Sequence, residues 1–523
     1  MGFTFLVLAR TVATGRVAFA LGLVATSVLI LALEASPARA STTFTVDRDD
    51  DSAASACTSA SDDCSLRGAI SKANTTAGAD SIDFASGITT VTLTIAGTGD
   101  NNNASGDLDI TDDLTINGGP SGVIIKGGAG WNERVIDIIG ATVAGNSTDV
   151  TISDATIRGG NAQPGSPQSN LGGGIDVNGS ADAANVAVAN GSSLTLQRST
   201  VTNNTATGSG GGIYDQFRST IKLVDSTVSA NIAGNGVNGD GGGVHSTGSL
   251  SLTNSTVTGN QAAGLGGGLS ILGVGKAKIT DSTINGNSVV APSSFTNGGG
   301  IYALTSGTVK LTRSTVSSNT AQSSTDGNGA GQGGGIYAGG GTMTLTNTTV
   351  SSNTAQNGSQ LDADGDGGGI YTLGNAALTL ANATIANNKA GNAGTGGSGG
   401  GIFGAPGASS ITLHNTIVDA NKADIAANLA ASPTSQGHNL LGENPGSGLQ
   451  KTDIVNKHPL LGPLQDNGGP TQTQALLSGS PAIDKGSNTS CPPTDQRGKA
   501  RPKDGDGNGK AVCDIGSFEK QKP

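Results

Sequence analysis

The sequence has few aromatic and few charged residues for its length. Aromatic residues make up 3% and charged residues 13% of the 523 positions, whereas glycine occupies 86 of them. A composition so rich in glycine and so poor in aromatic residues is typical of disordered chains. Aliphatic residues nevertheless recur with a regular spacing, and this periodicity argues against disorder.

Positive charge is also scarce. The formal net charge is −11, and removal of residues 1–40, which carry three Arg and one Glu, would make it −13. Such a chain repels nucleic acid, and it repels anionic polysaccharide unless metal ions bridge the two. We therefore expect no nucleic-acid partner.

Long apolar runs are confined to the N-terminus. Arg10 and Arg16 precede an apolar run over residues 17–33, and Ala38-Arg39-Ala40 provides a small-x-small cleavage site. Residues 1–40 are therefore typical of an export signal, with an uncleaved membrane anchor as the alternative. We expect a secreted or cell-surface protein that has no integral association with the membrane after cleavage.

The four cysteines form two close pairs, one near each end of the mature chain. In an exported protein such pairs usually form local disulfides, so we predict one bond between Cys57 and Cys64 and another between Cys491 and Cys513. Metal ligation is disfavoured, because neither CxxC spacing nor histidine partners are present.

A repeated unit fills most of the remaining sequence and is clearest at residues 333–353, GGGIYAGGGTMTLTNTTVSSN. Its apolar residues alternate over a few positions and are then interrupted, which indicates short strands with one buried face, joined at corners. One unit buries too little apolar surface to fold alone, so the units must stack. The pattern predicts an all-β fold, a single-stranded right-handed parallel β-helix with a capped N-terminus and an irregular C-terminal region.

Two ladders of side chains follow from this register. One is made of asparagines whose amides can hydrogen-bond from coil to coil, and its members are Asn204, Asn231, Asn260, Asn287, Asn319, Asn353, Asn388 and Asn421. The other follows the glycine triplets and consists of Tyr214, Tyr302, Tyr337, Tyr371 and Phe403, with His245 and Ser270 at the equivalent position. Alternation places these rings outside the coil, either as a stack that stiffens the sheet or as a platform for sugar rings.

The segment after the export signal resembles the N-terminal domain named for its CSLREA motif. Residues 64–69 read CSLRGA, with Gly68 where that motif has Glu, within TFTVDRDDDSAASACTSASDDCSLRGAISKANTTAGADSIDF. Leu66, Ile70 and Ala73 have helical spacing, so we expect an amphipathic helix that covers the first coil.

The C-terminal sequence closely resembles that region of the choice-of-anchor Q family. The resemblance rests on GHNLLGENPGSGLQKTDIVNKHPLLGPLQDNGGPTQTQALLSGSPAIDKG, DQRGKARP and DGDGNGKAVCDIGSFE. It implies a secreted or surface-associated bacterial protein with a pectin-lyase-like β-helix; family anchors vary, and none is recognisable after Glu519. The GGGI spacing is also similar to the repeats of chlamydial polymorphic outer membrane proteins. We divide the chain into an export signal (1–40), a cap (41–107), repeats (108–430) and a C-terminal region (431–523).

Two Asp-rich segments are candidate calcium sites. Residues 504–509 alternate oxygen ligands with glycines like the first half of a calcium loop, and residues 362–366 form a similar run before a glycine triplet. The candidate ligands are Asp504, Asp506, Asn508, Asp514, Asp362, Asp364 and Asp366. An ordinary Asp/Gly turn is the alternative at both segments, and no other cofactor is expected.

Catalytic motifs are missing. The sequence has no HExxH, no nucleophile elbow and none of the paired-carboxylate motifs of polygalacturonases. Asp176, Asp215, Arg218 and Lys222 are interpreted as ordinary solvated charges, and we assign no catalytic residue. The sequence favours a non-catalytic adhesion protein that binds an extracellular polysaccharide or matrix component. The alternatives are a polysaccharide lyase or glycoside hydrolase, and a passive structural rod.

Overall fold

Short parallel strands form each coil and pair with equivalent strands in the coils before and after it. The computed structural model describes residues 41–522 except 98–100, 141–146, 165–169, 179–190, 217, 235–237, 291–295, 324–329, 357–364, 393–395 and 408–409. The predicted export signal, Asp362 and Asp364 lie outside these residues. Within the described residues, most strands belong to four parallel sheets, two of 13 strands, one of 11 and one of eight. The fold is a right-handed parallel β-helix, which confirms the predicted class.

The sheets are numbered here in the order in which one coil visits them. Sheet 1 contains Thr43–Val46, Asp80–Phe84, Leu114–Asn117, Asp149–Ser153, Ser193–Gln197, Thr220–Val224, Ser249–Thr253, Lys276–Thr280, Thr308–Thr312, Thr342–Thr346, Ala377–Ala381, Ser410–His414 and Thr434–Ser435. Sheet 2 contains Thr90–Leu93, Val123–Gly127, Ala155–Arg158, Thr200–Thr202, Thr227–Ser229, Thr256–Thr258, Thr283–Asn285, Thr315–Ser317, Thr349–Ser351, Thr384–Ala386, Ile417–Asp419, Leu440–Leu441 and Ile454–Val455.

The other two sheets are built from shorter strands. Sheet 3 contains Asn161–Ala162, Thr205–Ala206, Ile232–Ala233, Gln261–Ala262, Ser288–Val290, Thr320–Gln322, Thr354–Gln356 and Lys389–Ala390. Sheet 4 contains Leu108–Ile110, Ile136–Ile138, Ile175–Val177, Ile213–Asp215, Val244–Ser246, Leu269–Gly273, Ile301–Thr305, Ile336–Ala338, Ile370–Thr372, Ile402–Gly404 and Leu429–Ala430. Two small pairs complete the strands: Thr296–Asn297 is parallel to Gly331–Gln332, and Leu461–Gln465 is antiparallel to Thr473–Leu476.

The core is one continuous column of aliphatic side chains inside the coils. In sheet 1, for example, Leu223, Leu252, Ile279 and Leu311 are in register on successive strands and are fully buried. On each of these strands, the residues on either side of the buried one point outwards, as alternation along a strand requires. Repetition of one inward pattern therefore fixes the register of the whole stack.

The glycine triplets allow the backbone of one coil to lie directly on the next. At residues 333–335, Gly333 has a φ of +66°, which is strained for residues with a side chain. A Cβ atom on Gly334 would lie 2.3 Å from the carbonyl carbon of Thr354, and one on Gly335 would lie 2.6 Å from the carbonyl oxygen of Gly369. Any larger residue would force neighbouring coils apart.

The predicted asparagine ladder is confirmed. Asn287 shows its geometry: its Nδ2 donates to Asn319 Oδ1 at 3.0 Å and to the Val257 carbonyl at 3.0 Å, while its Oδ1 accepts from Asn260 Nδ2 at 2.9 Å. Equivalent amide-to-amide bonds join every neighbouring pair from Asn204 to Asn421. These buried corner residues therefore bond each coil to the coils on both sides.

The first coil is covered by helix α1, Leu66–Ala73, as the sequence predicts. Leu66, Ile70 and Ala73 are buried in the same core cluster as the coils, and the Ser65 side chain caps the helix by accepting from the Gly68 N–H. A Cβ atom at Gly68 would lie 1.9 Å from the Ala54 carbonyl oxygen. That contact leaves no room for a side chain at this position of the helix.

The C-terminal region packs sideways against the outer face of sheet 2. Gln496 Nε2 donates to the Ser314 carbonyl at 3.1 Å, and Thr349 Oγ1 donates to Gln496 Oε1 at 2.7 Å. One coil further on, Ser517 Oγ donates to Thr384 Oγ1 at 3.1 Å. This docking across several coils was not predicted from the sequence.

Both predicted disulfides, Cys57–Cys64 and Cys491–Cys513, are present. The first lies just before α1, and the second joins two loops of the C-terminal region. Among the described residues, no helix combines the length and apolar character required to cross a membrane.

Candidate functional site

One residue from each strand of sheet 4 contributes to a single outward-facing row. Strand register places these residues side by side, in the order Asp109, Asp137, Asp176, Tyr214, His245, Ser270, Tyr302, Tyr337, Tyr371, Phe403 and Ala430. We call this set the sheet 4 row. Its N-terminal part is acidic and its C-terminal part is aromatic.

The aromatic part of the row is a continuous stack. Ring centroids are 4.9 Å apart for Tyr302 and Tyr337, 5.1 Å for Tyr337 and Tyr371, and 5.1 Å for Tyr371 and Phe403, with interplanar angles of 21°, 6° and 16°. Tyr214 stacks separately on His245 at 4.9 Å. The spacing equals the separation of paired strands, so each ring lies on its neighbour in the next coil.

These rings lie outside the coil but are largely covered. Tyr302, Tyr337 and Tyr371 are 5–6% exposed and pack with Leu265, Leu272 and Ala405. Burial raises the pKa of Tyr214 and Tyr302 to about 12 and lowers that of His245 to about 4, so all three are neutral near pH 7. Contact between the three tyrosine faces and a polymer would require their cover to move, and the sugar-platform role stays a prediction.

The acidic part of the row belongs to a buried group that we call the acidic cluster: Asp107, Asp109, Glu133, Asp137 and Asp176. Arg134 lies among these carboxylates. Its Nη1 is 2.8 Å from Asp176 Oδ2 and 3.0 Å from Asp137 Oδ2, and its Nε is 3.4 Å from Asp107 Oδ2. All five acidic residues are 0–6% exposed.

A turn around the only tryptophan of the chain positions Glu133 and Arg134. The Trp131 indole N–H donates to the Arg134 carbonyl at 2.9 Å. A Cβ atom on Gly127 would lie 2.5 Å from the Trp131 ring, so glycine provides the space that the ring occupies. On the other side, Asn178 Nδ2 donates to Asp137 Oδ1 at 2.9 Å and holds that carboxylate in place.

Burial raises the pKa of four carboxyl groups in the acidic cluster. Burial raises the pKa of Asp107 and Asp176 well above the ordinary aspartate range, although the positive charge of Arg134 lowers it in part. Burial also raises the pKa of Glu133 and Asp137. Asp176 was interpreted from sequence as a solvated charge, and the structure shows that this interpretation is wrong because strand and loop residues enclose it completely.

Asp215 was also interpreted from sequence as a solvated charge, and the structure shows that this interpretation is wrong. It follows Tyr214, so alternation turns it towards the inside of the coil, where it is fully buried. Its Oδ2 accepts from Ser246 Oγ at 2.8 Å and its Oδ1 from the Thr247 N–H at 2.6 Å. Burial raises its pKa to about 7. Lys222 lies on the outer face of sheet 1 and Arg218 is exposed in the preceding turn, so the four residues do not form one site.

The predicted calcium loop is only partly assembled. Asp504 and Asp506 lie together, and Asp484 joins them, with one carboxylate oxygen of each within 4.8 Å of the others. Asp514 is engaged elsewhere: it is buried, and its oxygens accept from the Asp484 and Lys520 N–H groups at 2.7 Å. The Asn508 oxygen accepts from the Lys510 N–H at 2.9 Å.

Of the candidate ligands in the other segment, only Asp366 is among the described residues. Its Oδ1 accepts from the Ser398 N–H at 2.9 Å and so links two successive coils. Ser398 belongs to the loop before the next glycine triplet, so this bond lies within the coil stack.

The outer face of sheet 1 carries a group of lysines that the sequence analysis did not identify. Strand register aligns Lys222, Ser251, Lys278 and Lys310 on successive strands, and Lys276 lies two residues before Lys278. All four lysines are exposed. We call Lys222, Lys276, Lys278 and Lys310 the lysine face.

The lysine face has no internal counter-charge in the part of the chain that the structure describes. Every ion pair found there uses arginine or histidine as the cation, and none uses lysine. The outward residues of sheet 1 from Ser193–Gln197 to Ser410–His414 include no Asp or Glu. A shallow groove of about 450 Å³ runs across this face, lined mainly by lysine, serine and threonine.

Comparison with known proteins gives one match. Residues 267–453 match the family model described as a right handed beta helix region. No curated protein and no solved structure matches the chain. The matched segment covers strands of all four sheets and the aromatic end of the sheet 4 row. The match agrees with the observed fold, a right-handed parallel β-helix.

Proposed function

We propose that this protein is a non-catalytic polysaccharide-binding protein of the cell exterior, and that the lysine face contacts an anionic polymer. The observation that carries the proposal is the concentration of four unpaired, exposed lysines on one sheet of a chain whose net charge is −11. The net negative charge of the whole chain predicts repulsion of polyanions. Salt screens distant charges, however, so the electric field close to the lysine face is set mainly by its own positive charges.

The geometry of the lysine face suits a linear ligand. Paired strands are about 4.8 Å apart, so Lys278 and Lys310 lie side by side, and Lys222 lies about 10 Å from Lys278. A chain of uronate or sulfated sugars laid along the helix axis meets several ammonium groups in succession. The hydroxyl groups of Ser249, Ser251 and Thr308 lie in the same groove and supply hydrogen bonds to sugar hydroxyls.

Features at both ends support an extracellular location. Residues 1–40 have the pattern of an export signal, and both cysteine pairs are close enough to be bonded. Structural disulfides persist mainly in oxidising compartments.

A lyase or hydrolase is the second candidate, and the burial of the acidic cluster disfavours it. Glycoside hydrolysis requires two carboxylates that reach a glycosidic bond. The five carboxylates of the acidic cluster are 0–6% exposed, and Asp215 points into the core. A polymer laid along the outer surface does not reach these groups.

The test is a retention assay with residues 41–523. Polygalacturonate, alginate and a sulfated glycan are compared with dextran and cellulose, and reducing ends and unsaturated uronates are measured in the same samples. We expect retention by the anionic polymers, elution by salt and no release of fragments. Equal retention by neutral and anionic polymers, or no retention at all, would contradict the proposal, and release of fragments would favour the enzyme.

A further inference from the structure

The acidic cluster carries more negative charge than its surroundings balance. Five carboxylates, Asp107, Asp109, Glu133, Asp137 and Asp176, are buried around one arginine, so the fully ionised group has a net charge of −4. Buried charges are costly unless they are paired or coordinate a metal. Arg134 alone does not balance this charge.

Three of these carboxylates already have the spacing of ligands to one ion. Asp107, Asp109 and Asp137 each offer an oxygen, and the three oxygens lie within 4.8 Å of one another. Oxygen ligands of Ca²⁺ lie about 2.3–2.6 Å from the ion, so two of them are separated by at most about 5 Å. Asp109 and Asp137 are in register on paired strands, and this pairing fixes their separation.

A second observation points to a missing partner. Asp176 Oδ1, Glu133 Oε2 and Asn178 Oδ1 are buried and accept no hydrogen bond within the described part of the chain. Asp176 is the next member of the sheet 4 row after Asp137, and the two share Arg134 Nη1 and Asn178 Nδ2. Buried acceptors are nearly always satisfied in native structures, so these oxygens are available to a bound cation or to water.

We propose that the acidic cluster is a Ca²⁺ site in which Asp107, Asp109 and Asp137 bind the ion and Asp176 or Asn178 supplies a further oxygen ligand. Calcium fits because it takes six to eight oxygen ligands in flexible geometry, whereas the octahedral demands of Mg²⁺ are stricter. The ion offsets half of the excess charge and fixes the first strands of sheet 4. This site is separate from residues 504–509.

The tryptophan gives a local readout of this site. Trp131 is the only tryptophan in the sequence, and its indole bonds to the backbone of Arg134 beside the cluster. The Asp484, Asp504 and Asp506 group packs near the last coils, more than six coils away, which is on the order of 30 Å. Excitation of Trp131 at its red edge therefore sensitises a lanthanide bound at the acidic cluster and not one bound at the distant loop.

The experiment uses residues 41–523 freed of metal with a chelator and titrated with Tb³⁺, followed by competition with Ca²⁺ and Mg²⁺. We expect tryptophan-sensitised Tb³⁺ emission that Ca²⁺ displaces at lower concentration than Mg²⁺, and a rise in melting temperature of several degrees on addition of Ca²⁺. Asp109→Asn with Asp137→Asn should abolish both effects, whereas Asp504→Asn with Asp506→Asn should leave both intact.

The double variant Asp109→Asn with Asp137→Asn also distinguishes loss of metal binding from loss of folding. Removing two of the buried charges relieves repulsion, so we expect the metal-free double variant to melt at or above the temperature of the metal-free native chain. Absence of sensitised emission from the native chain, or emission that survives Asp109→Asn with Asp137→Asn, would overturn the assignment. A calcium-dependent rise in melting temperature that is lost only with Asp504→Asn and Asp506→Asn would move the site to the C-terminal loop.

Discussion

At the scale of single residues, charged side chains such as Asp215 and Arg67 occupy the interior, where hydrogen bonds or an ion pair compensate their burial. Asp215 stands where the coils before and after it place Val177 and Ser246, and the turn at 246–248 supplies the donors that compensate its burial. Arg67 is equally buried: its Nε is 2.6 Å from Asp51 Oδ1, and its Nη2 donates to the Gly106 carbonyl at 2.7 Å. Asp215 thereby bonds to the turn at 246–248, and Arg67 bonds to the segments that contain Asp51 and Gly106.

Asp215 is expected to make stability depend on pH. Its folded pKa of about 7 lies above the unfolded value of about 3.9, so its protonated form stabilises the fold; this contribution is complete below about pH 4 and is lost as pH rises through 7. Asp215→Asn cannot ionise, and its amide preserves the bonds to Thr247 and Ser246. We expect it to match the native chain at pH 4 and to exceed it at pH 8, by up to about 4 kcal/mol.

Melting temperature measured from pH 4 to pH 8 checks this expectation. Asp49→Asn serves as the control, because Asp49 is exposed and makes no ion pair in the described structure. If Asp215→Asn were less stable than the native chain at pH 8, the carboxylate would be stabilising in its charged form and the inferred raised pKa would be wrong.

At the scale of elements, each ladder consists of residues at equivalent positions of the repeat, and these residues contact one another from coil to coil. The asparagine ladder could be predicted because its members fall at a constant distance from the strand signature. The aromatic stack could be predicted as a row, but not its burial, because the residue types at the positions of the covering residues Leu265, Leu272 and Ala405 vary from coil to coil. The row of Asp109, Asp137 and Asp176 was missed, although each stands at the centre of a similar triplet, LDI, IDI and IDV. Irregular loops separate those triplets and hide their common register.

Tyr337 is expected to stabilise the stack. Its ring is enclosed between Tyr302 and Tyr371, so Tyr337→Ala should cost about 3–5 kcal/mol. Retention on anionic polysaccharide should be unchanged in the folded variant, since the lysine face lies on a different sheet. Tyr337→Phe, which preserves the ring, is the matched control for both the melting temperature and the retention. A folded Tyr337→Ala variant that loses retention while Tyr337→Phe keeps it would favour the sugar-platform role.

At the scale of the whole molecule, the C-terminal region fastens one side of the coil stack. Its contacts on sheet 2 use Thr315, Thr349 and Thr384, and the same outward position is also threonine in coils that it does not touch, at Thr200 and Thr227. Identical residue types in covered and uncovered coils leave no sequence signal for the docking. The lysine face was equally hidden, because Lys222, Lys278 and Lys310 become neighbours only when coils of unequal length are aligned.

Arg501 should be the main attachment of the docked region. Its Nε is 3.0 Å from Glu519 Oε2, and its Nη1 donates to Asn347 Oδ1 in the coil stack at 3.0 Å, with both charged side chains fully buried. Arg501→Met leaves the Glu519 carboxylate buried without its cation, a loss of about 3–5 kcal/mol. We expect faster amide hydrogen exchange over residues 495–519 and in the Thr349–Ser351 strand.

The exposed Lys499→Met substitution removes one positive charge nearby and is the control for this comparison. Unchanged exchange in Arg501→Met would mean that the hydrogen bonds of Gln496 and Ser517 hold the region by themselves.

We propose that local positive charge on sheet 1 binds an anionic polysaccharide. The most direct test is a salt-dependent titration of fluorescent polygalacturonate with the native chain and with a variant in which Lys222, Lys276, Lys278 and Lys310 are all changed to Ser. The control variant changes four other exposed lysines, Lys451, Lys457, Lys499 and Lys510, and so alters net charge equally. With each of four exposed contacts contributing about 0.2–1 kcal/mol, we predict affinity about fourfold or more weaker for the first variant and little change for the control. Equal loss in both variants, or none in either, would contradict the account.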